Sequence, residues 1–393
     1  MTQAFTEVFE RVILNADVVS NGIGMPMLDA GVLVSRNAGL QTVVSFGKLE
    51  ELRQTFPDAR VERAGRAILP KAVNAHTHLD MSTYPFQALP YYDWIPRVAI
   101  ANRHLRGLEG SRRGLQLLRD SGIAAFGDIV WDPSTMDYLL EHSEIPGIAY
   151  WEILEFDPSN NDAIFEQTVE RVKTWRKLER SGGVRVGLTP HTPFTVNGAL
   201  HKRLAEFARL EGIPMQIHVG EHPSELELFR TGAGALAESI GRWGIPPLEV
   251  IWGRKPDSAL TPLNHLADLG VLEAKPTLIH MVNVTEDDVK IVAQTSCAVV
   301  SCPRSNRNLE CGTFPWALYA KNGVEVALGT DSIASGESLN IVDEAMAALE
   351  IHGDKLGLRN IARWAVRGGY RALGLKAPSV RRGDDFSGLT VWA

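Results

Sequence analysis

An α/β fold, a parallel (β/α)8 barrel with a small discontinuous β-sandwich built from both termini, is the class this 393-residue chain predicts. Eight compact apolar runs recur between residues 68 and 328 with helical patterns between them, the rhythm of a parallel barrel wrapped in helices. Histidines and carboxylates stand at the C-terminal ends of several runs, where a barrel gathers its loops into one mouth. Short β-rich segments separated by turn residues precede the first run, and similar composition returns at the C-terminus.

The N-terminal unit reads as strands at 12–19, 30–35 and 41–45, with turn signals at Asn21-Gly22 and Phe46-Gly47. The barrel runs end at His76 and then occupy 123–130, 147–154, 184–188, 214–218, 277–280, 298–301 and 324–328. Helical periodicity spans 163–180, 200–211, 224–241 and 285–294, and Thr285 and Asp288 have capping-box spacing. The segment 379–392 is expected to pair with the N-terminal unit. The expected domains are therefore 1–67 with 376–393, and a barrel over 68–375. The Pro-rich stretch 243–262 reads as part of a lid or an interface.

Hydrophobic residues at 45% and charged residues at 22% are ordinary for a globular protein and exclude fibrous or disordered classes. The 40 basic against 47 acidic residues give a net charge of -7, and no Lys/Arg block recurs on one face, which argues against nucleic-acid or anionic-membrane partners. The N-terminus lacks a basic segment followed by an apolar one, and no apolar run is long enough to cross a bilayer. Cys297, Cys302 and Cys311 form no C-x-x-C pair and read as packed, reduced thiols. A cytoplasmic location is expected; a homodimer stays open.

His76 and His78 at i, i+2 on a strand project to one face and can share an ion. Alone the pair is weak, because strand-end histidines are often only hydrogen-bonded. His218 and Asp331, each after a different run, complete three imidazoles and one carboxylate, a set suited to one divalent metal, zinc first, with Fe(II), Mn or Co tolerated. His142-Ser143-Glu144 matches half of an unrelated deaminase signature, but no P-C-x-x-C accompanies it.

The segments Asn74-Ala75-His76-Thr77-His78-Leu79, His218-Val219-Gly220-Glu221, Ser301-Cys302-Pro303-Arg304-Ser305-Asn306 and Leu328-Gly329-Thr330-Asp331-Ser332 together resemble the amidohydrolase superfamily, in its mononuclear deaminase and chlorohydrolase branch. The resemblance implies that His76, His78, His218 and Asp331 hold the metal and that Glu221 and His280 are catalytic. Metal-activated water would be the nucleophile, Asp331 would accept its proton, His280 would steer it, and Glu221 would protonate the ring nitrogen and then the departing amine. Binuclear relatives need a carboxylated Lys after the fourth run; Leu188-Thr189-Pro190-His191 has none, so one metal per chain is expected.

The segments 301–309 and 327–335 are most similar to adenosine-type deaminases, especially aminodeoxyfutalosine deaminases of menaquinone biosynthesis. That likeness implies a small nucleoside substrate losing a 6-amino group and makes His191 a substrate contact. Because a futalosine-type substrate carries a benzoate, Arg304 and Arg307, with Arg97, Arg103 and Arg106, are candidate cations, and Trp94 a candidate stacking surface. Deamination of S-adenosylhomocysteine, 5′-methylthioadenosine or adenosine, hydrolysis of guanine-like or triazine rings, and a non-catalytic metal-binding relative are the alternatives. The intact trio Glu221, His280 and Asp331 argues against the last.

Overall fold

In the computed structural model, residues 10–37, 39–242 and 248–393 are described. Four strands come first: β1 (Glu10–Val19), β2 (Met27–Asn37), β3 (Leu40–Lys48) and β4 (Arg60–Pro70). Eight follow: β5 (Val73–Thr77), β6 (Ala125–Val130), β7 (Gly147–Ile153), β8 (Val184–Pro190), β9 (Gln216–Val219), β10 (Thr277–His280), β11 (Val299–Ser301) and β12 (Val326–Leu328). The last is β13 (Leu389–Trp392).

Strands β5 to β8 pair parallel in chain order, and β9 to β12 do the same. Parallel bridges Leu188–Met215 and Thr77–Asp331 join the two halves into an eight-stranded barrel. Each of these strands is buried along nearly all its length, which is why its sequence reads as a continuous apolar run rather than an alternating one. Helices such as Leu108–Asp120, Pro133–His142, Asn161–Trp175, Gly198–Glu211 and Glu286–Thr295 connect them. Thr285 and Asp288 form the expected capping box.

The terminal strands make one five-stranded sheet of order β13-β4-β1-β2-β3. One face packs Val12, Leu14, Val32 and Ile68 under Val380 and Leu389 from the C-terminal segment. On the other, Leu52 of the helix Leu49–Thr55 covers Ile13 and Leu33.

Three sequence expectations change. Phe46-Gly47 is no turn: both lie inside β3, with Gly47 opposite Gly31, and the hairpin closes between Asn37 and Leu40. The helical pattern at 224–241 is two helices, Pro223–Thr231 and Ala235–Arg242, because Gly232 and Gly234 adopt φ of 67° and 95° and break the ladder. Of 379–392, only β13 is strand, paired antiparallel with β4. Within 243–262, residues 243–247 lie outside the described residues. Leu248–Trp252 is helical, and Trp252 stacks on Phe229 at 4.0 Å and donates Nε1–H to the Pro193 carbonyl at 3.1 Å.

Two histidines away from the barrel mouth set an acid sensitivity. His201 and His265 are 0% and 1% exposed, and burial pushes their pKa values down to about 3 and about 4. The unfolded chain protonates both near pH 6.5. Stability is therefore whole above that pH and falls as pH drops from 6.5 toward 4, by up to about 1.4 kcal/mol per pH unit for each ring. A His201→Leu/His265→Leu protein is expected to show an acid limb shallower by about two protons in the pH dependence of its unfolding free energy. An unchanged slope would show that these rings do not carry it.

Candidate metal centre and active site

The barrel brings the predicted residues to one point. His76 on β5, His78 just beyond it, His218 on β9, His280 ending β10 and Asp331 just past β12 share the C-terminal mouth. The His76 ring lies 5.0 Å from His78, 4.9 Å from His218 and 6.0 Å from His280. Asp331 Oδ1 is 3.7 Å from His76 Nε2 and 3.4 Å from His78 Nε2. Three overlapping groups, His76–His218–His280, His76–His78–Asp331 and Glu221–His280–Asp331, each hold their ligand atoms within 4.8 Å of one another. His280 and Asp331 adopt φ of 70° and 56°, a left-handed backbone costing about 1–3 kcal/mol each, so surrounding structure must hold both against strain.

The donor set fits a cation. His76 Nδ1 lies 3.0 Å from Gln216 Oε1 and His218 Nδ1 lies 3.2 Å from the His191 carbonyl; as donors to these acceptors, both rings keep a free Nε2 lone pair. His76 Nε2 is buried with no hydrogen-bond partner, an orphan that a metal would satisfy. Burial pushes His78 down to about 3 and His218 well below the ordinary range, so both are neutral, the form that ligates. Asp331 Oδ2 accepts from Ser305 Oγ at 2.6 Å and Ser335 Oγ at 3.2 Å, leaving Oδ1 toward the imidazoles. Gly329 permits the approach of the loop after β12: a Cβ there would stand 2.8 Å from His76 Cβ.

Sequence reading missed Gln216, although it lies two residues before His218 on the same strand face. Its amide also donates to the Ala75 carbonyl at 2.8 Å, so it locks the orientation of His76 from below. Gln216→Leu is expected to weaken metal affinity about 10–100-fold, measured by competition with a chelating dye, with the fold retained. Unchanged affinity would deny Gln216 this orienting role.

Glu221 sits beside this cluster, its Oε1 3.6 Å from His280 Nε2 and 4.0 Å from Cys311 Sγ. Burial, with the Asp331 charge second, pushes its pKa up to about 8. It is not the helix-capping carboxylate: buried Glu225 takes that place, accepting from the backbone N–H groups of Gly220, Glu221 and His222 at 2.8, 2.7 and 3.3 Å. Asn283 Nδ2 donates to the Glu221 carbonyl at 2.7 Å and to that of Cys311 at 2.9 Å. The turn carrying Glu221 is thus pinned from both sides, and its carboxyl is left to face His280 and Cys311. On the far side of His280, Nδ1 meets Asn306 Oδ1 at 2.9 Å.

The other candidates divide. His191 reaches the mouth, its ring 5.2 Å from His218 and its Nδ1 2.9 Å from Thr195 Oγ1. Trp94 packs with Met81, Tyr84 and Val98 and gives Nε1–H to the Ala334 carbonyl at 3.2 Å, so it ties the loop after β5 to the loop after β12. Arg304 is 7% exposed and spends its guanidinium on Glu337 at 2.9 Å and Ser338 at 3.0 Å, while its backbone N–H donates to Glu344. Arg307 pairs with Glu350 at 3.1 Å on the exposed surface. Arg97 faces Asp93 at 3.6 Å and Arg103 is exposed, whereas Arg106 lies near the mouth, held by Asp80 at 2.6 Å and Glu152 at 3.0 Å. The three cysteines are free and buried, as their spacing predicts.

Comparison with known proteins agrees with this geometry. The amidohydrolase family profile matches residues 67–392. An aminodeoxyfutalosine deaminase of Deinococcus radiodurans is 49% identical over 381 residues, covering 97% of this chain and 90% of the relative. A 5-methylthioadenosine/S-adenosylhomocysteine deaminase of Carboxydothermus hydrogenoformans is 25% identical over 80% of this chain and 70% of its own. In the solved structures, Helicobacter pylori aminofutalosine deaminase in complex with methylthio-coformycin superposes with a TM-score of 0.70 at 20% identity, covering 95% of this chain and 90% of that one. The zinc-bound adenosine deaminase of Xanthomonas campestris gives 0.67 at 23%, covering 95% and 82%, and both of these likenesses bear on the fold alone. By profile, by close sequence relative and by fold, the chain belongs to the amidohydrolase family.

Proposed function

We propose that this chain is a metal-dependent deaminase of adenine nucleosides, with aminodeoxyfutalosine as substrate and menaquinone biosynthesis, in the cytoplasm, as its setting. The observation that carries the reading is the convergence of Glu221, His280 and Asp331 on one histidine cluster, in a chain 49% identical to a deaminase of that name. No described helix is long and apolar enough to cross a membrane. The chemistry belongs to a barrel unit at 68–375, with 1–67 and 376–393 as a composite β unit beside it.

One zinc ion, with Fe(II) as the substitute, would be held by His76, His78, His218 and Asp331 and would supply Lewis acidity that makes water nucleophilic near neutral pH. The chain's own groups do the rest. Asp331 accepts a proton from the attacking water. His280, whose Nδ1–H is directed at Asn306, offers Nε2 to the water's other proton and fixes its line of approach. Glu221 gives its proton to the ring nitrogen beside the amino-bearing carbon as the water oxygen bonds to that carbon. Glu221, now ionised, takes the proton of the new hydroxyl and passes it to the leaving nitrogen as the carbon–nitrogen bond to the amino group breaks, ammonia and the oxo product depart, and the proton held by Asp331 restores Glu221.

An ammonia-release assay against aminodeoxyfutalosine, adenosine, 5′-methylthioadenosine and S-adenosylhomocysteine tests the reading. The highest kcat/KM is expected for aminodeoxyfutalosine. Preference for 5′-methylthioadenosine or S-adenosylhomocysteine would favour the second reading, supported by the relative at 25% identity. Turnover of guanine-like or triazine compounds alone would overturn the adenine assignment.

A further inference from the structure

We propose that Glu152, with His191, is the sugar-recognition element of this site: its carboxylate accepts hydrogen bonds from the ribose 2′,3′-diol and makes the enzyme selective for ribonucleosides. The inference rests on the nucleoside reading and adds a residue to it.

Glu152 lies on β7, and alternation along that strand places Ile148, Tyr150 and Glu152 on one face, with Glu152 uppermost at the mouth. Its side chain is only 4% exposed, and a carboxylate so enclosed must be paired. Half of it is: Oε2 accepts from Arg106 Nη2 at 3.0 Å. Arg106 is itself committed, donating Nε–H to buried Asp80 at 2.6 Å and lying 5.4 Å from the Trp131 ring. The other oxygen, Oε1, makes no hydrogen bond among the described residues. It stands 4.0 Å from His191 Nε2. His191 has also spent its inner nitrogen, on Thr195, and its ring touches that of His218. A free carboxylate oxygen and a free imidazole nitrogen therefore face one space beside the metal ligands.

Charge identifies the occupant. Asp80 and Glu152 bring two acids against the single base Arg106, so this flank carries surplus negative charge and disfavours a carboxylate. A neutral group donating two adjacent O–H bonds suits the pair, since hydroxyls bond strongly to an ionised acceptor. In an adenine nucleoside whose amino-bearing carbon lies at the metal cluster, the vicinal diol of the sugar is that group. Arg106 is a positioning residue, acting through Glu152.

The test compares adenosine with 2′,3′-dideoxyadenosine. In the wild-type enzyme the dideoxy compound is expected to have a KM raised roughly ten- to hundred-fold, the range for hydrogen bonds to a charged group, with kcat within a few-fold. In Glu152→Gln the ratio of the two KM values should collapse toward one. Calorimetric binding of the deaminated products inosine and 2′,3′-dideoxyinosine to the metal-loaded protein should show the same collapse without net turnover. Equal KM values for both sugars in the wild-type protein would overturn the proposal with no variant needed. So would a Glu152→Gln enzyme that loses kcat equally on both substrates and keeps the wild-type KM ratio. Failure of wild-type protein to bind or deaminate any adenine nucleoside would take down the nucleoside reading itself, a separate and recognisable result.

Discussion

Glu221→Gln is expected to lower kcat about 10³-fold while the protein keeps its full complement of metal. The geometry separates the two properties. Glu221 is not one of the four proposed ligands, and its Oε1 is directed at His280 Nε2 and Cys311 Sγ. Glutamine keeps the shape and a hydrogen-bond donor but cannot transfer a proton, so what is lost is the general-acid step, which typically contributes 10²–10⁴-fold. The backbone beneath it is fixed by Glu225 and Asn283, neither of which the substitution touches, so a folding defect is not expected. The measurement is steady-state deamination together with elemental analysis of the same sample. Wild-type turnover would remove Glu221 from the mechanism, and loss of metal would make it a ligand instead.

The cluster at the barrel mouth was legible in the sequence because of how a barrel is made. Its strands are short and buried on both faces, so each is a compact apolar run, and the polar residue at the run's end points to the shared mouth. His76, His218, His280 and Asp331 are all found that way. What was not legible depends on partners far along the chain. Arg304 looks like a free cation until Glu337, Ser338, Asp343 and Glu344 fold against it. Glu152 looks like any strand-end glutamate until Arg106, from the loop after β5, claims one of its oxygens. Strand β4 escaped because its sequence, Arg60 to Arg66, is half exposed and rich in charge, and only its last four residues, 67–70, are fully buried. The helix pattern at 224–241 failed for a local reason: a periodic apolar face extends through Gly232 and Gly234, and only their positive φ values show that the chain turns there.

Removing the metal is expected to abolish deamination, and one equivalent of divalent cation per chain to restore it completely. The count follows from the donors. Three imidazoles and one carboxylate would hold one zinc ion with a position left for water. The end of β8, where a second ion would need a bridging lysine carbamate, reads Leu188-Thr189-Pro190-His191. Asp331→Ala should bring both metal content and kcat to background, a loss of about 10⁴-fold or more, because it removes a ligand and the proton acceptor together. The stripped protein should also unfold at lower temperature, since an ion bound only by the folded state adds its binding free energy to stability. Two ions per chain at full activity would overturn the single-metal site, and full activity in the stripped protein would overturn the metal. The graded series closes the logic: Gln216→Leu touches only the orientation of His76 and should be rescued by excess cation, whereas Asp331→Ala should not be rescued at any concentration, because the missing proton acceptor cannot be supplied by mass action.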